Sequence, residues 1–225
     1  MKKLTIKNLI EFRGKKSDST KLTLINNLNK EVEKSNDDSG GDYWISCLSA
    51  IKNTFKTGNV SLLDEKIDLL DLKIQTNSIK KNKVQFQRNI DILNRFKDLN
   101  IQNYKPNAEL TFLKQPKINS ILTINGLPIE AKPCHIYSYS INGSEEIGGI
   151  WFVAKLNGFK KAELGMFSDI MYRYLTKHFS DHYYVNPDFC YTIDLFNGQE
   201  VNYREIVNGA IPILIDSTIE ELKNI

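Results

Sequence analysis

ILTINGLPIEAKPCHIYSYSINGSEEIGGIWFVAK, residues 121–155, followed by KKAELGMFSDIMYRYLTKHF at 160–179 and FCYTIDLF at 189–196, decides the fold. In the first stretch, apolar and β-branched runs break at Asn125-Gly126 and Asn142-Gly143. Asn and Gly both accept positive φ, so these dipeptides predict hairpin turns between strands. In the second, Leu164, Phe167, Ile170, Met171, Tyr174, Leu175 and His178 recur three or four apart. That is the stripe of a helix laid on a sheet. A loop is expected at Asn186-Pro187-Asp188, before a closing strand that ends at Asn197-Gly198.

Outward from this core, Lys105-Pro106-Asn107 marks a switch in character. Residues 106–225 read as a mixed sheet plus helix, with strands in AELTFLK and SILTI separated by a turn at Gln115-Pro116-Lys117. A short strand is expected at Ile211–Ile215, then a last helix capped at Asp216 or Ser217. Residues 1–105 read as helical. Residues 3–13 form a helix or a strand, and Ser17 or Asp18 caps a helix over about 19–34 with the stripe Leu22, Ile25, Leu28 and Val32. SNDDSGGD (35–42) is a linker, and Tyr43-Trp44 opens a helix that closes at Thr57-Gly58-Asn59. Ser61 caps another helix, and a further one over 82–99 turns Val84, Phe86, Ile90, Leu93 and Phe96 inward. The expected fold is α+β (mixed α/β): a helical amino-terminal half packed, as one compact unit, on a mixed β-sheet with one main helix.

A chain of 225 residues, 41% hydrophobic, can bury a full core. No apolar run is long enough for a membrane span, and no secretory h-region follows Met1-Lys2-Lys3. Cys47, Cys134 and Cys190 lie far apart without a CxxC pair, which suits a reducing cytoplasm and disfavours a disulfide framework. Charge is uneven: residues 1–105 hold 20 Lys+Arg against 13 Asp+Glu, and 106–225 hold 10 against 14. A basic face attracts phosphates. Arg13, Lys15, Lys16 and Lys21, beside Ser and Thr hydroxyls, are the candidates to hold a DNA or RNA backbone. Solvated lysines on exposed helices are the plain alternative.

The chemistry-bearing pattern is Ile129-Glu130-Ala131-Lys132, an E-x-K on a strand, with Glu109 upstream. Side chains two apart on a strand share a face. Glu130 can therefore hold a hard cation such as Mg²⁺ while Lys132 stabilises an attacking water or a developing phosphorane. Glu109 supplies the second carboxylate that such an ion takes. His178 and His182, four apart beside Asp181, are a weaker metal pair, and Cys134-His135 point to opposite strand faces, so they cannot act as nucleophile and base. Gly148-Gly149 within a strand predicts a bulge or a close backbone approach, by a partner for example.

The E-x-K, in the order helix, strands, helix, strand over about residues 40–196, resembles the PD-(D/E)XK nuclease superfamily, the restriction-endonuclease-like fold. Two placements of its motif are open. Where the E-x-K strand must lead straight into the main helix, Lys155 matches the family lysine, Val153 replaces the acid, and Pro133-Cys134-His135 replaces the P-D motif. The resemblance then implies a metal-free, cofactor-free domain that has lost catalysis. Such a domain binds nucleic acid, another protein subunit through the 146–155 strand edge, or both. Relatives of this kind serve bacterial mobile-element, CRISPR-type and anti-phage defence systems. In the second placement, Glu109, Glu130 and Lys132 form an intact Mg²⁺-dependent nuclease. A structural or regulatory subunit without a nucleic-acid role is the third possibility. Asp169, Tyr172 and Arg173 faintly echo the Q-x-x-x-Y helix that lines the DNA channel in exonuclease-like members, although core packing is the better account of Tyr172 and Tyr174.

Overall fold

A computed structural model describes residues 3–30, 43–114 and 120–225. The linker at 35–42, the turn at 115–117 and Val32 lie outside the described residues. The described elements are α1 (Ile6–Gly14), α2 (Asp18–Asn29), α3 (Ile45–Thr57), α4 (Ser61–Thr76) and α5 (Lys80–Lys97), a 3₁₀ turn at Ile101–Tyr104, then β1 (Thr111–Leu113), β2 (Ile121–Ile124), β3 (Leu127–Glu130), β4 (His135–Ile141) and β5 (Ser144–Val153). They continue with α6 (Lys161–Phe179), β6 (Tyr184–Asp194), β7 (Glu200–Asn202), α7 (Tyr203–Val207) and α8 (Ile215–Lys223). The chain is α+β.

Five strands form one sheet in the order β1-β4-β5-β6-β7, and β2 and β3 make a separate hairpin. β5 and β6 run parallel, joined by α6, and the other neighbours are antiparallel. Both Asn-Gly turns are as expected: Asn125 and Gly126 have φ of 47° and 81°, and Asn142 and Gly143 have 52° and 81°, the paired positive φ of a type I′ hairpin. β5 is paired on both sides, so the 146–155 strand offers no edge to a partner protein. The edges are β1 and β7, three residues each.

Alternation along the strands sends side chains to two cores. Ile147, Val153 and Cys190 join α6, α1, α8 and the β2–β3 hairpin on one face. Tyr137, Tyr139, Ile150, Phe152 and Ile193 join α3, α4 and α5 on the other. The amino-terminal half is therefore not one helical array: 4–25 and 44–96 pack on opposite faces of the sheet. Each core holds residues from both sides of the 105/106 switch.

Several local expectations change. Residues 3–13 are an isolated bridge residue and then helix: Leu4 bridges Ile129 in parallel, Thr5 caps α1 through a capping box with Asn8, and Leu9 and Phe12 are buried. Trp44 is buried and Ile45 is not. Val84 and Leu22 face solvent rather than the core. Val60, not Ser61, is the residue before α4. Residues 186–188 are no loop but part of an irregularity within β6, where pairing jumps from Ile147–Val185 to Gly149–Cys190. The strand expected at 211–215 does not form: Pro212 has no N–H to give a ladder, and Ile211 instead plugs the space beside Gly165. α8 begins at Ile215 without a side-chain cap.

Candidate functional site

Two adjoining cavities lie where β5 ends and α6 begins. The larger, about 630 Å³, is walled by α1 (Lys7, Glu11), Lys15, Tyr43, Trp44, the end of β5 with Lys155, and Phe159 and Glu163. The smaller, about 320 Å³, is walled by Lys7, Lys52 of α3, Glu130, Lys132, Cys134 and Trp151. They meet at Lys7 and Ala154 and form one trough. The local folding that builds it is plain. The Leu4–Ile129 bridge brings α1 to the hairpin, with Leu4 donating to the Pro128 carbonyl at 2.8 Å and accepting from Glu130 N–H at 2.7 Å. Cys134 N–H donates to the Ile150 carbonyl at 2.8 Å, which seats the start of β4 beside the end of β5.

Five lysines line the trough against three carboxylates, and each carboxylate is engaged. Glu11 pairs with Lys15 at 3.0 Å, and Glu163 with Lys155 at 3.1 Å. Glu130 pairs with Lys132 at 2.8 Å and with Lys3 at 2.6 Å. Partial burial works against the Glu130 carboxylate, but the two lysines outweigh it and hold its pKa below the usual carboxylate range. Among the described residues Lys7 and Lys52 pair with no carboxylate. Lys52 instead lies within hydrogen-bonding reach of Cys134, whose thiol is pushed up by burial and only partly drawn back by that lysine. Beside it, His135 donates from Nε2 to the Lys52 carbonyl at 2.8 Å and stacks on Phe55. Its burial, with help from Lys52, Lys56 and Lys105, holds the imidazole below its ordinary pKa.

Of the expected catalytic set, Glu130 and Lys132 come together and Glu109 does not join them. Glu109 sits with Thr111, Ser140 and Glu145 at the far end of β4. Cys134 to Ser140 is six residues, about 20 Å of strand at about 3.4 Å per residue. No group of three or more His, Cys, Asp and Glu suited to a metal occurs among the described residues. The side chains present at Glu130, one carboxylate held by two lysines, do not fit a Mg²⁺ site of the expected kind.

The expected basic cluster is also redistributed. Arg13 donates to Thr218 Oγ1 at 3.0 Å, and Lys21 pairs with Glu221, so both tie the amino terminus to α8. Lys16 is exposed between α1 and α2, and of these four only Lys15 reaches the trough. On α6, Asp169 and Arg173 pair with each other, and Tyr172 borders a separate surface cavity with Thr176, His182 and Tyr184, away from the trough. Asp169 is buried under Arg173, Tyr172 stacks on Tyr203 at 3.8 Å, and Tyr174 is fully buried. Lys7, Lys52, Tyr43 and Trp151 were not singled out in the sequence. Only a lysine placed between apolar helix positions, as Lys52 is beside Ile51, hinted at them.

Comparison with protein-family models, with curated proteins and with solved structures finds no match.

Proposed function

We propose that this chain binds a strand of nucleic acid in the Lys7–Lys52 trough and does not cut it. The observation that carries this is that, among the described residues, two lysines face the trough without a carboxylate while its three acids are already neutralised. Ammonium groups that no described carboxylate neutralises, set along a groove, are suited to consecutive phosphates, and the half-buried Tyr43 and Trp151 offer ring faces for bases. The resemblance to the PD-(D/E)XK superfamily supports the same reading in its degenerate form. Val153 takes the place of the metal-binding acid, and Lys155 is spent on Glu163. With that resemblance goes a place in a bacterial mobile-element, CRISPR-type or anti-phage system, and the three dispersed cysteines suit a reducing cytoplasm. No described helix is long and apolar enough to cross a membrane.

Fluorescence anisotropy with labelled single- and double-stranded DNA and RNA tests the binding. Single strands are expected to bind, and Lys7→Glu with Lys52→Glu to weaken them at least about tenfold. Incubation of the same oligonucleotides with Mg²⁺ or Mn²⁺ is expected to leave them intact. Cleavage abolished by Glu130→Ala would instead overturn this reading in favour of a metal-dependent nuclease that uses Glu130 and Lys132 without Glu109.

A further inference from the structure

We propose that the outer face of the α4–α5 hairpin associates with a second copy of this chain about a two-fold axis running along the hairpin. α4 is apolar on two sides. Leu63 and Leu70 are buried against α3 and α5, whereas Leu72, opposite them by helical spacing, and Leu69, about a third of a turn round from them, are 57% and 43% exposed. Ile79 at the hairpin tip and Val84 on α5 are 57% and 40% exposed. One exposed apolar side chain is ordinary, but four on a single helical hairpin give it apolar area that a partner can cover.

Charge selects the occupant. α4 carries Asp64, Glu65, Asp68 and Asp71 against Lys66 and Lys73, and α5 carries Lys80, Lys81, Lys83, Arg88, Arg95 and Lys97 against Asp91. The two helices nevertheless share a single ion pair among the described residues, Asp64 with Lys97. Asp68, Asp71, Lys80, Lys81 and Lys83 pair with nothing of opposite charge there. A two-fold axis along the hairpin lays the acidic α4 of each copy on the basic α5 of the other, giving a four-helix layer with Leu69 and Leu72 in the seam. The contact is isologous, so it closes at two copies.

Sedimentation velocity or light scattering on the whole chain, up to about 100 μM, tests this. The expected result is a concentration-dependent dimer, converted to monomer by Leu69→Lys with Leu72→Lys, with the circular dichroism unchanged. Charge reversal gives an independent arm. Chains carrying D68K and D71K, and chains carrying K80E, K81E and K83E, are each expected to lose dimer affinity by at least about tenfold. A mixture of the two is expected to recover it, because the mixed pair restores one opposed contact and keeps the other. A wild-type monomer at the top concentration, a dimer that survives the two leucine changes, or a mixture that fails to recover would overturn the proposal.

Discussion

His135 shows how a single position links burial to pH. Its ring is stacked on Phe55 and its Nε2 donates to the Lys52 carbonyl, so protonation in the folded state is resisted by burial and by neighbouring lysines. With the folded pKa lowered, the unfolded chain takes up the proton first. Stability is therefore complete above the ordinary histidine value, about 6.5, and falls as pH drops below it. Chemical denaturation between pH 7.5 and 5 is expected to show this loss, with a shallower slope in His135→Gln. His178, also lowered by burial, adds to the loss in both proteins. Gly148 makes a simpler case. A Cβ there would lie 2.5 Å from the Phe189 carbonyl oxygen, which belongs to backbone and cannot swing away. Gly148→Ala is expected to cost about 2 kcal/mol, measured by urea unfolding. The glycine doublet was legible as a close approach, but what approaches is the irregular segment of β6 and α6, with Met171 against Gly149, rather than a partner. Single residues announce that something comes near. They do not say what.

At the scale of elements, α6 and α8 are held by one guanidinium. Arg173 donates to both Asp169 oxygens, at 2.8 and 3.0 Å, and to both Asp216 oxygens, at 2.9 and 2.6 Å. Asp169 is almost wholly buried, so Arg173→Met leaves a carboxylate without its counter-charge. The expected loss is about 3 kcal/mol by urea unfolding, partly recovered when Asp169→Asn is added, since then no buried charge is stranded. α6 itself was legible within a residue because its apolar stripe repeats over nineteen residues. Short elements were not. The Ile211–Ile215 strand failed on the missing N–H of Pro212, and Asn186-Pro187-Asp188, which carries loop chemistry, was absorbed into β6 because parallel pairing with β5 resumes at Cys190. Pairing with a distant strand is a tertiary fact, and local composition does not encode it.

For the whole molecule, the hairpins and main helix could be read from periodicity, but the trough could not, since its walls come from α1, α3, β3, β5 and α6. Glu130 and Lys132 were found together because they are two residues apart; Glu109, twenty-one residues earlier, was assigned to them by chemistry alone and folds to the other end of β4. The amino-terminal lysines and arginine drew notice by density in sequence, yet Arg13 and Lys21 spend themselves on α8 while the more dispersed Lys7 and Lys52 face the trough without carboxylates. Affinity for a single-stranded oligonucleotide as a function of salt tests the central claim most directly. If phosphates displace counterions at the trough, log K falls linearly with log salt, and the slope is shallower by about 2 in the Lys7→Glu, Lys52→Glu double variant. Binding that ignores salt, or a slope that the two changes leave as it was, would contradict it.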